Sequence, residues 1–527
     1  MGKLDGLAPE KVFKYFELLS SVPHGSGNTK AISDLCVEFA KTHGLRYVQD
    51  DVNNVVIYAP ASENMGNTET VILQGHLDMV CAKTYESDID MSREPISIYR
   101  DGDFLKAQNT SLGGDNCIAV AMILALLDSP EISHPAIEAV FTIDEEVGLI
   151  GASALEGGLL SGKYLINIDS EEEGVFTCGC AGGVRVNGNV PVRRETIDCD
   201  STCSVFDIEI GGLLGGHSGC DIDKGRANAN HLMGRMLFSI SREIDLHLLE
   251  FEGGQFDNVI TAVCRAKVAV NAADSEKFEV SVRNYERAFK NELSGCDAGV
   301  YLTLICESVC TETESCENAN IHEALKNDFM RTALQNIQSE KDVSSSASGI
   351  SAVIPEDSRR ILALVAIMPQ GVREMSADLK GLVQTSLNLG VTELKNTEFC
   401  FSSLVRSSIA SQKEELVLIL TELTESCGGR VSLSGAYPGW KFNSKSGLLE
   451  LCRKCYIELT GTEPVITATH GGLECGLFTE KVEGIECISI GPNLYDVHSV
   501  RERLSISSTE RVWAFLKKVM EEWASLV

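Results

Sequence analysis

The chain has 527 residues, of which 44% are hydrophobic, and a formal net charge of −31 at pH 7. This length predicts two or three domains with a substantial hydrophobic core, and no apolar run approaches the roughly 18 residues of a membrane-spanning helix. The strong negative charge without a basic cluster argues against nucleic acid as a partner.

Cysteine usage indicates the redox compartment. The 19 cysteines are an odd number and stand in apolar stretches, such as those around Cys36 and Cys306. Disulfide frameworks belong to oxidising compartments and usually need an even set. We therefore expect buried thiols, a reducing environment and a cytoplasmic protein.

The first 185 residues alternate helical and extended patterns, which is typical of an α/β layer structure. Apolar residues at helical spacing predict helices over residues 11–19, 29–40 and 118–127. Buried apolar runs predict strands over residues 54–58, 70–74, 137–143 and 164–168.

The pattern changes between about residues 186 and 432. Strand-like runs lie at 205–210, 267–270, 300–305 and 361–366, helical patterns at 230–243 and 321–339, and a polar loop tip at 344–348. The α/β pattern then returns, with a helix over 446–459, a strand over 486–490 and a helix over 508–523. We therefore predict an α/β domain, residues 1–185 and 433–527, interrupted by an inserted α+β domain of residues 186–432.

Acidic and imidazole side chains follow the ends of several predicted strands, where the crevices of parallel sheets lie. One strand-end acid is usually a cap or a solvated loop residue, but five such positions are harder to explain in that way. Two histidines with three carboxylates suit zinc or manganese, and five ligands exceed one tetrahedral zinc, which favours a metal pair. The candidates are His76 and Asp78, Asp115, Glu145 and Glu146, Asp169, and His498.

Short motifs surround these residues and continue to the end of the chain. They are Gly75-His-Leu-Asp-Met79, Leu112-Gly-Gly-Asp-Asn116, Asp144-Glu-Glu-Val-Gly148, Asn167-Ile-Asp-Ser170, Gly215-Gly-His-Ser-Gly219, Gly225-Arg-Ala-Asn-Ala-Asn230, Ser434-Gly-Ala-Tyr-Pro-Gly-Trp440, His470-Gly-Gly-Leu-Glu-Cys-Gly476 and His498-Ser499. In this order they resemble the aminoacyl-histidine (Xaa-His) dipeptidases. Those enzymes belong to the di-zinc exopeptidases, which include carnosinases and carboxypeptidase-like enzymes.

The resemblance implies a fold and a cofactor. The expected fold is a di-zinc exopeptidase-type catalytic domain, with a mixed, mostly parallel sheet between helices, and a lid domain in the insertion. The expected cofactor is two divalent metal ions, zinc with manganese or cobalt as alternatives. Asp115 would bridge both ions, His76 and Asp169 would complete one site, and Glu146 and His498 the other.

The resemblance also implies a reaction, the hydrolysis of unblocked dipeptides by a metal-bridged hydroxide. Glu145 would be the general base, since a carboxylate that is not a ligand can move a proton between the water and the leaving amine. Asp78 would hydrogen-bond the His76 imidazole and fix its tautomer. The alternatives are an amidohydrolase that acts on N-acyl amino acids, and an inactive metal-binding homologue.

The inserted domain carries the substrate-binding candidates. The resemblance implies that His217 stabilises the oxyanion, often across a homodimer, and that Arg406 binds the terminal carboxylate of the substrate. His470 and Asn258 are further expected contacts. From sequence alone, His217 also fits an exposed loop residue and Arg406 a surface ion pair.

Three positions depart from the family pattern. Cys117 stands where glycine is usual, and a thiol there would crowd the site or make it sensitive to oxidation. Arg501 replaces an acid beyond His498, and the segment 258–261 lacks a usual proline. None of these changes removes a ligand, so we expect an active enzyme.

Overall fold

The computed structural model describes residues 2–198, 202–307 and 349–526 and is built around two large sheets. The helices of this part of the chain are α1 (Glu10–Ser20), α2 (Lys30–Thr42), α3 (Gly114–Leu127), α4 (Ile150–Ala154), α5 (Ala229–Ile240), α6 (Ser275–Glu292), α7 (Pro355–Ile367), α8 (Ala410–Ser426), α9 (Gly447–Thr460), α10 (Glu474–Lys481) and α11 (Ile506–Glu521). None of them has the length and apolar character that crossing a membrane requires.

The strands are named in chain order. They are β1 (Arg46–Gln49), β2 (Val55–Ala59), β3 (Val71–His76), β4 (Ile98–Asp101), β5 (Phe104–Ala107), β6 (Ile137–Thr142), β7 (Tyr164–Asn167), β8 (Val175–Cys180), β9 (Gly182–Pro191), β10 (Arg194–Asp198), β11 (Cys203–Gly211), β12 (Gly216–His217), β13 (Leu246–Gly253), β14 (Val259–Ile260), β15 (Cys264–Asn271), β16 (Tyr301–Glu307), β17 (Gly349–Val353), β18 (Gly371–Met375), β19 (Val383–Leu394), β20 (Glu398–Ser407), β21 (Arg430–Tyr437), β22 (Val465–Thr469), β23 (Glu486–Ser489), β24 (Leu494–Tyr495) and β25 (Arg503–Ser505).

The first sheet has the order β1-β2-β6-β3-β7-β23-β8-β22. The pairs β3–β6, β3–β7, β7–β23 and β8–β22 are parallel. Every residue of β3 and β6 is buried, as expected of strands that helices cover on both faces. Because β22 and β23 come from the C-terminal part of the chain, the sheet is completed only by strands that follow the insertion. This confirms the mixed, mostly parallel sheet and the interrupted catalytic domain.

The second sheet lies in the insertion and contains two similar units. Unit one runs β11-α5-β13-β15-α6-β16, and unit two runs β9-α7-β19-β20-α8-β21, so both have a βαββαβ order. The sheet order is β16-β11-β15-β13-β19-β20-β9-β21, and all the pairs along it are antiparallel. Unit one is therefore inserted between the first strand and the first helix of unit two. The limits 186–432 for the inserted domain stay a prediction.

Most predicted elements of the described chain are present within a few residues of their expected limits. The strand predicted over 361–366 is wrong, because these residues belong to α7. Pro355 starts that helix, Glu356 and Asp357 lie in its first turn, and its apolar residues face the core, as is typical of a helix start. The predicted helix over 321–339 and loop tip at 344–348 lie outside the described residues.

The described cysteines are free thiols, many of them buried, with one exception. Cys203 is disulfide-bonded, so the expectation of free thiols is wrong at this position.

Gly254 lies where unit one packs against unit two, and it gives a testable prediction about this contact. It has φ +77°, and a Cβ there would collide with the Gly390 carbonyl oxygen, whereas Gly225, with φ +70°, has open space around it. An alanine at either position carries the cost of a left-handed backbone, about 1–2 kcal/mol, and only Gly254→Ala adds the collision. We expect Gly254→Ala to lower the thermal unfolding midpoint clearly more than Gly225→Ala. Equal losses would contradict the close approach of the two units.

Candidate functional site

The carboxyl ends of β6, β3 and β7 meet at one edge of the first sheet, and the metal-ligand candidates lie there. His76 is the last residue of β3, Asp169 follows β7 by two residues, and Glu146 follows β6 by four. Asp115 lies in the first turn of α3. His498 follows β24 and has φ 59°, a left-handed conformation that is uncommon outside glycine and often marks functional sites.

The Asp115 carboxylate lies between two imidazoles. Its Oδ1 is 3.1 Å from His76 Nε2 and its Oδ2 is 3.1 Å from His498 Nε2. Asp169 Oδ1 is 3.5 Å from the same His76 nitrogen, and Glu146 Oε1 is 3.0 Å from the same His498 nitrogen. The five candidates therefore form two groups, one on each side of a shared carboxylate.

The Glu146 carboxylate indicates what these atoms converge on. Its Oε1 is buried and has no hydrogen bond within the described chain, although His498 Nε2 is close. Ligand atoms of His76, Asp115 and Glu146 lie within 4.8 Å of one another. A buried carboxylate oxygen that has no hydrogen bond and lies beside other ligand atoms fits a divalent cation among them. The residues present therefore fit a binuclear metal site.

The pKa values of the two histidines show that the carboxylates of the cluster favour a positive charge beside them. Burial acts to lower the pKa of His76, but Asp169 and Asp115 outweigh it and raise that pKa well above its usual value. The hydrogen bond to Asp115 and the nearby Glu146 carboxylate raise the pKa of His498 to about 10. A bound cation supplies this positive charge and leaves both imidazoles free to act as ligands.

Asp78 contacts both the His76 imidazole and the backbone of Glu145 and Glu146. Its backbone oxygen is 3.0 Å and its Oδ1 3.4 Å from His76 Nδ1, so the proton of that ring nitrogen is held and Nε2 faces the cluster. The same carboxylate accepts the backbone N–H of Glu145 at 3.0 Å, the backbone N–H of Glu146 at 3.4 Å and the Ser26 hydroxyl at 2.8 Å. Asp78 thus acts by positioning its neighbours.

Glu145 stands beside the cluster. Burial first, and then the charges of Asp169, Glu474 and Glu146, raise its pKa well above its usual value, although His76 opposes them. A carboxylate with a raised pKa is a stronger base. The neighbouring Glu146 reaches His498, so the two adjacent acids have different surroundings.

Arg406 lies at the second sheet, in register with Ser386 of β19 and Gly183 of β9. It is only 6% exposed, and its Nη1 donates to the Tyr437 hydroxyl at 3.0 Å and to the His470 carbonyl at 3.4 Å. Its Nε has no partner among the described residues, and no described carboxylate pairs with it. A buried guanidinium without an acid is costly, so the surroundings of Arg406 are suited to an external anion.

His470 and Ser386 complete the surroundings of Arg406. Ser386 Oγ is 2.7 Å from His470 Nε2, and both side chains are buried. Burial and then the Arg406 charge lower the pKa of His470 to about 4. The imidazole is therefore neutral near pH 7, and it adds polarity without a second positive charge.

His217 lies next to Asn258, in a loop that is held together by its own hydrogen bonds. Its Nδ1 accepts the backbone N–H groups of Gly219 and Cys220, each at 3.2 Å. Burial first and then the Arg406 charge lower its pKa, so the ring is neutral and its proton is on Nε2. The backbone N–H of Ser218 donates to the Asn258 carbonyl at 2.8 Å. The loop thus presents a hydrogen-bond donor.

Glu502 has a role that the sequence did not suggest. Its carboxylate, 3% exposed, accepts the backbone N–H groups of Leu112, Gly113, Gly114 and Asp115 at 2.7, 3.0, 2.8 and 3.3 Å. It therefore holds the glycine loop that carries Asp115. Only its place in the stretch after His498 could have drawn attention to it.

Glu474 is a second residue that the sequence reasoning missed. It is fully buried behind the metal-ligand candidates, and its Oε2 accepts from Gln74 and Thr142. Burial raises its pKa to about 7. Its place in the His470-Gly-Gly-Leu-Glu motif was the available signal.

The structure shows the surroundings of two residues that depart from the family pattern. The Cys117 thiol is buried, 3.2 Å from His24 Nε2, and burial raises its pKa to about 12. It is a neutral thiol, which is poorly reactive. The Arg501 side chain is 78% exposed, and its Nη2 lies 3.9 Å from Asp496, so it faces solvent.

Comparisons with known proteins agree with this arrangement. A family model described as a peptidase dimerisation domain matches residues 208–295. The chain is 33% identical, over 99% of both sequences, to the cytosol non-specific dipeptidase of Escherichia coli (strain K12). Its fold matches the aminoacylhistidine dipeptidase of Vibrio alginolyticus with a TM-score of 0.87 and 33% identity, over 98% of this chain and 97% of that one.

A more distant match shows a similar fold alone. An M20 family metallo-carboxypeptidase from Sulfolobus solfataricus matches with a TM-score of 0.50 and 13% identity, over 98% of this chain and 100% of that one.

Glu502→Gln tests the support of the Asp115 loop. The amide keeps the size of the side chain but turns a donor toward backbone N–H groups, and hydrogen bonds to a charged group are worth about 1.5–3 kcal/mol each. We expect a lower unfolding midpoint and weaker binding of zinc or cobalt, measured by thermal unfolding and calorimetric titration. Exposed Glu510 offers the control Glu510→Gln, which should change neither. Unchanged metal affinity in Glu502→Gln would contradict the positioning role.

Proposed function

The chain belongs to the M20 family of metallopeptidases, and from that premise we propose that it is a dipeptidase that hydrolyses unblocked dipeptides. The observation that carries the proposal is the Asp115 carboxylate, with one oxygen facing His76 and the other facing His498. A shared carboxylate between two ligand sets is suited to a pair of cations, the arrangement of many hydrolytic centres.

The proposed cofactor is two divalent metal ions, zinc with manganese or cobalt as alternatives. His76 and Asp169 would hold one ion, Glu146 and His498 would hold the other, and Asp115 would be a ligand shared by the two groups. Two imidazoles and three carboxylates are ligands that suit these metals. When bound, the ions supply the acidity that brings the pKa of a shared water toward neutrality, and they polarise the peptide carbonyl.

Glu145 is the proposed general base. Its raised pKa suits a carboxylate that takes a proton from water and passes it to the leaving amine. Asp78 supports it by holding the backbone N–H of Glu145 and the ring of His76. One buried carboxylate thus aligns a ligand with the base.

The proposed substrate contacts come from the inserted domain and the His470 loop. Arg406 binds the terminal carboxylate, because a buried guanidinium without an acid fits an anionic group with two oxygens. His217 donates a hydrogen bond from its Nε2–H group to the developing oxyanion. His470 and Asn258 contact the substrate beside these two residues.

The range of dipeptides is a separate proposal. One relative is named non-specific and another is named for aminoacyl-histidine substrates, and both are 33% identical to this chain. Identity therefore does not choose between them, and we propose unblocked dipeptides that include Xaa-His. The rival substrate is an N-acyl amino acid, which also ends in a carboxylate that Arg406 would bind.

Assembly and location are proposed from the relatives. The matched model is described as a dimerisation domain, which supports a homodimer. The E. coli relative is named as a cytosol protein, which supports a cytoplasmic location, as do the many free thiols of the described residues.

A substrate comparison tests the activity. Purified protein loaded with zinc, manganese or cobalt should cleave Xaa-His and Cys-Gly dipeptides, and a chelator should abolish cleavage. N-acetylated forms of the same dipeptides should react far more slowly. Equal rates on blocked and free substrates would favour the amidohydrolase alternative, and cleavage that resists chelation would contradict the metal site.

The adjacent glutamates give a second test. Glu145→Gln should retain both metals by elemental analysis yet lose about 10²–10⁴-fold in kcat, the usual contribution of a general base. Glu146→Gln, the matched control, should reduce metal content itself. The reverse pattern, with metal lost at Glu145→Gln, would exchange the two assignments.

Arg406→Met tests recognition of the carboxylate. Hydrogen bonds to charged groups contribute about 1.5–3 kcal/mol, and 1.4 kcal/mol is about tenfold, so kcat/KM should fall at least about tenfold. The control is a dipeptide with a C-terminal amide, which should be a poor substrate for wild type and should be little affected by the substitution. An equal loss on both substrates would instead indicate a structural role for Arg406.

A further inference from the structure

The two units of the inserted domain are arranged as a symmetric pair inside one chain. Numbering the strands of each unit from one to four in chain order, the sheet reads 4-1-3-2 in unit one and then 2-3-1-4 in unit two. This order is the same from both ends, and β13 of unit one meets β19 of unit two antiparallel at the centre. Two copies of one unit across a two-fold axis would give this same sheet.

The dimerisation-domain match falls on unit one alone. It covers residues 208–295, which contain the end of β11, α5, β13, β15 and α6. The edge of unit one at β13, which would be open to pairing in an isolated unit, is occupied by β19. Within the described chain, unit two therefore stands where a second copy of unit one would stand.

Buried polar contacts fasten the joint between the units. Asn228 Nδ2 donates to the Leu389 carbonyl at 2.9 Å, and Asn388 Nδ2 donates to the carbonyls of Asp257 and Val259 at 2.9 and 2.8 Å. Thr261 Oγ1 donates to the Gly390 carbonyl at 2.8 Å. These asparagines and the threonine are at most 3% exposed, and breaking such bonds would leave buried polar groups unpaired.

The two units also form one hydrophobic core. Phe251 and Phe399, one from each unit, make an edge-to-face contact with ring centroids 5.8 Å apart. The cluster around them runs from Val184 of unit two through Phe206 of unit one to Leu420 of unit two. The joint is therefore part of the folded core.

The joint brings His217 and Arg406 to the same place. The 256–260 segment that pairs with the His217 loop is held on β19 by Asn388, and β19 is the neighbour of the strand that carries Arg406. A Cβ on Gly219 would lie 3.2 Å from the His470 carbonyl, which itself accepts from Arg406. The donor of unit one and the cation of unit two therefore lie around one loop of the same chain.

We propose that unit two replaces the partner subunit, so that His217 acts in cis on substrate held by Arg406 of the same chain. Each chain then completes one site, and any second copy is not needed for catalysis. The inference rests on the proposed function, because it takes the oxyanion role of His217 from it. It replaces the expectation that His217 reaches across a homodimer.

A mixing experiment separates cis from trans action. Glu145→Gln keeps His217 but lacks the base, and His217→Ala keeps the base but lacks the donor. The two variants carry different tags and are co-expressed, and doubly tagged assemblies are isolated wherever they form. With action in trans, each isolated heterodimer would hold one complete site of two and would regain about half of wild-type activity. We expect only the sum of the separate residual activities, and recovery above it would overturn the proposal.

Dilution gives a second, independent outcome. The specific activity of wild type should stay constant while analytical ultracentrifugation follows its mass to nanomolar concentration. A fall in activity that tracks dissociation would contradict action in cis. If wild type hydrolyses no dipeptide at any concentration, the proposed function fails instead.

Hydrogen exchange tests the arrangement without catalysis. Backbone amides of β13 and β19 should keep the same protection above and below any dissociation concentration, because both strands belong to one chain. Loss of protection in these strands upon dilution would overturn the proposal even for an inactive protein.

Discussion

The contact on which the site depends is the Asp115 carboxylate between two imidazoles. His76 comes from a central strand and His498 from the far end of the chain, so neither is near Asp115 in sequence. The carboxylate needs a fixed backbone to face both, and Glu502 supplies it by accepting four successive N–H groups of the glycine loop. The sheet edge brings the ligands close, and this loop sets the angle between the two groups.

The two sheets contribute different chemistry. The first sheet gathers acids and imidazoles at its carboxyl edge, and these match cations. The inserted domain contributes a buried guanidinium on the second sheet, with no acid partner among the described residues, and a neutral imidazole on the separate β12–β14 pair. A negatively charged cluster and a buried cation would attract each other directly if they touched, so a separation between them leaves both available to opposite ends of one small molecule. Peptides with a free carboxylate satisfy this requirement.

The sequence predicted the parts that local pattern controls. Strand-end residues such as His76 and Asp169 were found because parallel strands end at one edge. Glu502 was missed because its partners are backbone amides nearly four hundred positions away, and no side-chain pattern records such a contact. The strand predicted over 361–366 was wrong because the apolar residues from Ile361 onward fit both the helical and the strand period over so short a run. Pro355, which favours the first turn of a helix, was the signal that separates the two. The pairing of the two units was hidden as well, since they repeat an order of elements without repeating a motif.

The connection between the sheets affects how the substrate contacts can move. Only Ala181 separates β8 of the first sheet from β9 of the second, and Trp440 bridges back to Cys180 at the same point. Gly182 has no room for a side chain, because the backbone of Pro438 and Gly439 packs against it. Arg406 is in register with Gly183 and therefore lies almost on this junction, whereas His217 belongs to the other unit. Since displacement in a rotation grows with distance from the axis, rocking of the sheets about the junction would leave Arg406 nearly in place. A substrate carboxylate bound to Arg406 would then stay at a nearly constant distance from the metal-ligand candidates, which would limit the length of the substrate.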